Sequence, residues 1–255
     1  MQQAAADIGV QTRSAQAFWE RYFDFYDTLN RSIPYRRMIE KQADLLEPLA
    51  GCKVLDAGTG TGNAAVELLQ RGSQVIGIDF CEAALRKCQL KVPQGDFRFG
   101  DLTRPLEFEP DSFDRVSCCC VLHVLNRPSQ GFAVGEFLRV LKPGGLVAVC
   151  VFASGFRPWR VYLETLREQR KSTSLPGTVA FGIRYLLDTV RILYYVWQIK
   201  RREKSGHYHF FERADLSAVL EEAGFQNIRV ESIFASQGWA AVASKGADDP
   251  RGAKP

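Results

Sequence analysis

Ten residues of this 255-residue chain constrain it more than any others. They read Val54-Leu55-Asp56-Ala57-Gly58-Thr59-Gly60-Thr61-Gly62-Asn63, a short apolar run that stops at an acid and then turns through three alternating glycines. The run has the length of a buried strand, and Ala64, Ala65, Val66, Leu68 and Leu69 resume at once with helical spacing. The glycines therefore fall in a strand-to-helix turn, where backbone N–H groups are free to meet a ligand. Glycine there permits positive φ and a close approach to bare backbone. A dinucleotide-binding turn reads G-x-G-x-x-G. The spacing Gly58-x-Gly60-x-Gly62, with Asp56 two residues ahead, speaks against a nicotinamide or flavin enzyme.

Further strands follow in βα order. Val75-Ile76-Gly77-Ile78 ends in Asp79-Phe80, about twenty residues after the glycines, where a nucleotide-binding βαβ unit carries the acid that grips ribose hydroxyls. The competing reading of Asp79 is a cap on the helix of residues 82–90. Phe97-Arg98-Phe99 reads as a third strand leading to Gly100-Asp101-Leu102, and Arg115 to about Cys120 as a fourth, with a loop to His123. The helical pattern of Phe132 to Leu141 breaks at Leu141-Lys142-Pro143-Gly144-Gly145 before a strand over Leu146 to Phe152. A helix from Phe211-Glu212-Arg213-Ala214-Asp215-Leu216 to Ala223-Gly224-Phe225 precedes two strands, Ile228 to Ile233 and Trp239 to Ala243.

These phrases resemble class I S-adenosylmethionine-dependent methyltransferases over residues 51–154 and 207–245. The likeness is weaker over 22–50, where Tyr26-Asp27-Thr28-Leu29-Asn30 is similar to the segment before the glycine loop in the ubiquinone/menaquinone C-methyltransferase group. The resemblance implies a doubly wound, seven-stranded, Rossmann-like α/β sandwich with six parallel strands and the last antiparallel. It implies S-adenosyl-L-methionine as cofactor and no metal. Cofactor contacts are then expected from Asp56, Gly58, Thr59, Gly60, Gly62 and Asn63 on the first turn, Asp79 on the ribose, Phe80 packed on adenine, Asp101 and Leu102 reading adenine, and Cys118 near the methyl group. Tyr26 is expected to orient the methyl or the acceptor. His123 is the candidate general base if the acceptor must lose a proton. Competing readings make His123 a capping or packing residue and the cysteines small apolar strand residues. His207 and His209 are weaker catalytic candidates.

The implied organisation is an N-terminal helical arm (1–50), a cofactor-binding core (51–154 and 207–245), a helical substrate cover (155–206) and a disordered tail (246–255). A composition of 46% hydrophobic and 24% charged residues supports one full core. Met1 to Arg13 has neither a basic start nor an apolar run, so the expected location is cytoplasmic, with peripheral contact at the inner membrane face left open. Seven cysteines without a C-x-x-C pair read as reduced thiols. Residues 14–50 read as two helices with a break before Pro34, carrying an aromatic stripe (Phe18, Trp19, Tyr22, Phe23, Phe25, Tyr26) that is either core or a cover over the cofactor.

Phe156 to Lys204 holds eleven Lys or Arg against four Asp or Glu, a net +7 that leaves −3 for the rest of a chain totalling +4. On a helix over Thr178 to Lys200, Arg184, Asp188, Arg191 and Gln198 share one narrow face, with Arg184 and Asp188 spaced for an ion pair, and nearly everything else is apolar. The run carries too much charge to span a bilayer. Three readings remain open: a lid on a greasy pocket, a homodimer contact, or a helix on a membrane surface. In the last, Tyr194, Tyr195 and Trp197 lie at the interface and Lys200-Arg201-Arg202-Glu203-Lys204 on anionic headgroups. The expected activity is methyl transfer to a small hydrophobic acceptor (a quinone precursor, a lipid or another metabolite) by in-line displacement. A nucleic-acid methyltransferase is the alternative, and no nucleic-acid partner is expected because no Asn/Asp-Pro-Pro-Tyr motif is present. A non-catalytic binding protein on the same scaffold is disfavoured by Asp56, Asp79 and Asp101 together.

Overall fold

The computed structural model describes residues 16–46, 51–204 and 208–247, without the side chains of Asp188, Arg191, Glu203 and Lys204. The expected tail from 248 on, the arm before 16, His207 and the Arg184–Asp188 pairing lie outside those limits.

Seven strands form one sheet: β1 (Lys53–Ala57), β2 (Gln74–Asp79), β3 (Asp96–Phe99), β4 (Phe113–Cys119), β5 (Leu141–Phe152), β6 (Gln226–Ile233) and β7 (Gly238–Ser244), in the order β3-β2-β1-β4-β5-β7-β6. The ladders from β3 through β5 are parallel, and β7 runs antiparallel to both β5 and β6. This is the doubly wound sheet with its last strand reversed, as the resemblance implies. The Pro143-Gly144-Gly145 turn falls inside β5, and the β4–β5 register slips there before regular pairing resumes at Leu146.

The helices are α1 (16–26), α2 (Ile33–Leu46), α3 (Asn63–Gln70), α4 (Glu82–Lys91), α5 (Arg127–Val140), α6 (Pro158–Ser172), α7 (Leu175–Lys204) and α8 (Arg213–Ala223), with a 3-10 turn over Asp27–Arg31. Local chemistry sets several ends. Asn126 accepts from Ser129 N at 3.0 Å to cap α5, Glu212 and Asp215 form a reciprocal capping box on α8, and Gly224 closes that helix at φ 102°.

Strand alternation divides the core. Leu55, Val116, Cys118, Val147 and Val149 face Phe137, Leu138, Leu216 and Leu220 of α5 and α8. Val54, Val75 and Ala148 face Ala43, Leu46, Ala65 and Leu68 of α2 and α3. A third cluster at the carboxyl ends of the strands joins α1 and α2 to the insertion: Phe18, Trp19, Tyr22 and Phe23 pack with Phe152, Phe156, Ile192, Val196 and Ile199. Among the described residues no helix is long and apolar enough to cross a membrane. None of the seven cysteines forms a disulfide.

Candidate active site

The turn after β1 is tied to the end of β2. Gly58 N and Thr59 N both donate to Ile78 O (2.8 and 2.9 Å), Gly60 N donates to Asp79 Oδ2 (2.9 Å), and Gly62 N to Thr59 O (2.9 Å). The expectation of free turn amides is corrected for these four, because the carbonyl and carboxylate ending the neighbouring strand reach them first. The glycines are required by conformation and space. Gly58 and Gly62 have φ of +79° and +84°, and an added Cβ would lie 2.3 Å from Val121 Cγ2 at Gly58 and 2.5 Å from Cys88 Sγ at Gly62.

Asp79 also accepts from Cys81 N at 2.8 Å, so both carboxylate oxygens hold backbone while keeping lone pairs for a ligand. Asp56 stands opposite Ser117 across β1 and β4 and accepts from its hydroxyl at 2.9 Å; Gln42 Nε2 of α2 donates to the same hydroxyl at 2.9 Å. The other oxygen of Asp56, Oδ2, is buried without a well-formed hydrogen bond. Burial pushes both carboxyls up to about 6, against the pull of the Thr59 and Ser117 hydroxyls at Asp56 and of backbone amides at Asp79.

These groups open into a cavity of about 580 Å³, a size typical of small-molecule sites. Of the residues expected from the sequence, Tyr26, Asp56, Gly58, Thr59, Gly60, Asn63, Asp79, Phe80, Asp101, Leu102 and His123 line it. Gly62 and Cys118 do not. Gly62 starts α3 with its α-carbon turned toward Cys88, and Cys118 faces the α5/α8 core because alternation points it away from Ser117 and Cys119. Cys119 and Cys120 line the cavity instead, their sulfurs 4.0 Å apart. Asp101 accepts from Thr103 N (2.9 Å) and Thr103 Oγ1 (2.7 Å), which fixes its carboxylate at the end of β3.

His123 is stacked on Phe152 at 4.4 Å and meets the edge of Phe210 at 5.2 Å. Phe152 N donates to its Nδ1 at 3.4 Å, which leaves the proton on Nε2. Burial pushes this imidazole down to about 3, so it is neutral at any ordinary pH. His209 instead contacts Arg127 at 3.0 Å on the surface, away from the lining. Tyr26 accepts from Tyr35 Oη (3.0 Å), which accepts from Asn63 Nδ2 (3.1 Å). Burial holds both phenols well above their ordinary range, as neutral hydroxyls.

Two elements close the cavity, and sequence patterning locates them only in part. Trp19, Tyr22, Phe23, Tyr26 and Leu29 of the arm line it, so the aromatic stripe is both core and cavity wall. The arm is latched to the glycine turn: Thr61 Oγ1 donates to Asp27 at 2.6 Å, and Lys91 bonds Asp27 and Asn63 (2.9 and 2.8 Å). From the insertion come Ile199 and Arg202. The reading that sends Lys200 and Arg202 to headgroups is corrected. Lys200 donates to Phe156 O at 2.8 Å, and Arg202 turns inward over the Phe18 ring at 4.1 Å, donating to Tyr208 Oη at 2.9 Å. Ser117, Gln42 and Tyr35, which hold the acids and the arm in place, carry no motif signal and emerge only from contacts. The site fits S-adenosylmethionine: an unpaired buried carboxylate oxygen and two further acids meet a cationic, hydroxyl-bearing ligand, with Phe80 and Leu102 beside them for a flat base.

The family described as a methyltransferase domain matches residues 54–145. A demethylmenaquinone methyltransferase of Renibacterium salmoninarum is 33% identical over 171 residues, covering 64% of this chain and 68% of that one. A ubiquinone biosynthesis O-methyltransferase of Thiobacillus denitrificans is 29% identical over 228 residues, covering 87% and 83%. The fold is that of a putative methyltransferase from Haloferax volcanii solved with a methyltransferase activator, with a TM-score of 0.63 at 15% identity over 89% of this chain and 97% of that one. A glycine turn clamped by a strand-end acid and relatives alike over two thirds of their length lead to one conclusion: the chain belongs to the class I S-adenosylmethionine-dependent methyltransferases and is an enzyme that takes its methyl group from that cofactor.

Proposed function

We propose that the methyl acceptor is a small lipophilic molecule held in the half of the cavity away from the acids. The observation that carries this reading is the wall itself: Trp19, Tyr22, Leu29, Val124, Phe152 and Ile199 line the cavity. One relative described above is named a demethylmenaquinone methyltransferase and the other a ubiquinone biosynthesis O-methyltransferase, which is in keeping with a hydrophobic acceptor. A nucleic-acid acceptor would call for a basic groove, whereas the cavity is aromatic and carries three acids.

The cofactor supplies an activated methyl group when bound. The chain's task is to hold and align. Asp79 offers acceptors to the ribose diol, Asp101 to the adenine amine, and Asp56 Oδ2 to a cationic group of the methionine moiety. The aromatic arm excludes water, and fixing two reactants in line supplies several kcal/mol, up to about 7–11 in favourable models. With a pKa near 3, His123 is a poor base at neutral pH; its role is to present Nε2–H and a flat face to the acceptor. Tyr26, with its hydroxyl set by Tyr35, orients the reacting groups.

The membrane contact belongs to α7. Its buried positions, Thr178, Gly182, Tyr185, Thr189, Ile192, Val196 and Ile199, recur at alternating four- and three-residue steps, a single inward seam. The greasier side chains point out: Leu187 is 70% exposed and Ile183 60%, with Val179, Leu186, Val190, Tyr194 and Trp197 beside them. Arg184 and Arg201 on the same helix are exposed, and the Arg201 guanidinium lies 4.8 Å over the Trp197 ring. Apolar width with a basic margin matches an anionic bilayer surface. We assign that surface as the partner, with α7 in its plane.

Four outcomes are expected. When labelled cofactor is incubated with the enzyme and a membrane-lipid extract, label should enter the organic phase; label confined to a water-soluble extract would end the lipophilic reading. His123→Ala should keep turnover within about ten-fold of wild type, whereas a general base would cost roughly 10² to 10⁴; kcat at saturating cofactor decides. Asp56 and Asp79 sit near pH 6 in the empty site, and a cationic ligand favours their charged forms. Cofactor binding should therefore release protons at pH 6 and not at pH 8, and affinity should fall as pH drops through 6. Calorimetry in two buffers of different ionisation enthalpy measures this, and equal proton release at both pH values would contradict it. Finally, the protein should float with phosphatidylglycerol vesicles, less with added salt, and not with phosphatidylcholine. Ile183→Glu with Leu187→Glu should abolish flotation; a salt-insensitive dimer lost in that variant, without flotation, would make the face a contact between two copies.

A further inference from the structure

Three sulfurs meet where β4 and β5 end, and methyl transfer as described above uses none of them. Ser117, whose hydroxyl holds Asp56, is followed two residues later on the same strand face by Cys119. Cys120 would point the opposite way if the strand ran on. It lies instead just past the strand end in the left-handed region, at φ 61°, and its sulfur comes to 4.0 Å from that of Cys119 and 3.9 Å from Met38 Sδ on α2. Both cysteines line the cavity. Cys150 of β5 stands in register with Cys119 and is buried.

A left-handed cysteine costs energy that glycine would not, and what it brings about here is a cluster of thiols. Hydrogen bonds from the Cys120 and Cys150 thiols hold the Cys119 thiol below its ordinary value, and burial holds Cys150 above its own. The cavity-lining member is therefore the nucleophile, and its buried neighbour keeps its proton. An accessible, lowered thiol beside a second thiol is the arrangement that oxidises reversibly. Cys81, Cys88 and Cys118 are buried, and burial raises all three.

We propose that Cys119 is a reversible oxidation site for hydroperoxides, and that Cys150 resolves it to a disulfide that weakens cofactor binding. The Cys119 thiolate attacks the terminal oxygen of the hydroperoxide, the O–O bond breaks, and the other oxygen leaves and takes up a proton as an alcohol or water. The resulting sulfenic acid condenses with the Cys150 thiol, forming the S–S bond and releasing water. The two thiols lose the two electrons that the hydroperoxide gains. Cys120 is the poorer resolving partner, because consecutive residues hold their α-carbons about 3.8 Å apart, short of the roughly 4.4–6.8 Å that a relaxed disulfide spans. Neighbouring strands place Cys119 and Cys150 about 4.8 Å apart. The new bond draws the Cys119 sulfur toward β5 and disturbs the strand end that sets Ser117 against Asp56.

Wild-type enzyme treated with hydrogen peroxide should lose two hydrogens in mass. Its tryptic digest should hold a cross-link from Cys119 to Cys150, which lie on either side of the cleavage site at Arg139. S-adenosylhomocysteine at ten times its Kd should slow the reaction about ten-fold, because the occupied cavity shuts out the peroxide. Calorimetry should find S-adenosylhomocysteine bound several-fold more weakly by the oxidised protein, with full affinity regained in dithiothreitol. Cys150→Ala should stop at the sulfenic acid, trapped on Cys119 by dimedone; the measurements on the wild type decide the matter if that variant does not fold. A disulfide confined to Cys119 and Cys120, or one that forms first between other cysteines, would overturn the assignment. So would equal rates with and without S-adenosylhomocysteine, or an oxidised protein whose affinity for it is unchanged.

Discussion

The carboxylate of Asp79 accepts backbone N–H groups from two sides, Gly60 on the first turn and Cys81 entering α4, and the floor of the cavity takes its shape from that pair of bonds. With the amides of Gly58 and Thr59 on Ile78 O, they draw the β1–α3 turn against the end of β2. Only residues tolerant of positive φ can follow that path, and the close approach of Val121, Phe23 and Cys88 leaves no room for side chains on it. The arrangement carries an electrostatic cost. Because burial raises Asp56 and Asp79 above their unfolded values, the stability tied to them is complete below the ordinary carboxylate range and is lost as pH rises through about 6. At neutral pH the empty site holds two charges that water would solvate better, and a cationic ligand is what returns that stability.

On this floor stands a roof of aromatic side chains that the sheet does not need for its own burial. The sheet is already covered by α2 and α3 on one face and by α5 and α8 on the other. The arm and insertion instead pack on each other: Phe18 and Tyr22 lie 5.5 and 5.6 Å from Tyr195, edge to face. Asp27 and Asn30 carry the same arm to Thr61, Asn63 and Lys91. One short segment therefore couples the glycine turn to the helix that helps close the cavity, so the two share their shape.

Particular residues separate what patterning could reach from what it could not. The strand-end acids are legible because an apolar run that stops at Asp fixes a position in the fold. Cys118 fails by a single step of alternation: a three-cysteine run has no internal mark for which member faces which side, and Cys119 and Cys120 occupy the lining. His123 is located correctly on the cavity wall, but burial against Phe152 and Phe210 decides its protonation, and no local sequence carries that information. The basic run at 200–204 reads as one surface charge cluster, yet a helix turns each successive residue by 100°, which sends Lys200 to a carbonyl, Arg201 to solvent and Arg202 into the cavity.

The sequence by itself determined the doubly wound core, the reversed last strand, the glycine turn and the acids at the ends of β1, β2 and β3. Each of these follows from local periodicity, from residues with few conformational options, or from a phrase specific to one family. Tertiary structure alone decided that the turn amides are spent on Ile78 and Asp79, that Ser117 and Gln42 hold Asp56, that the aromatic arm is a wall as well as a core, and that the insertion turns its greasier side outward and one arginine inward. Those features depend on which faces meet across gaps of about twenty to a hundred or more residues, and such meetings are settled by packing of whole elements.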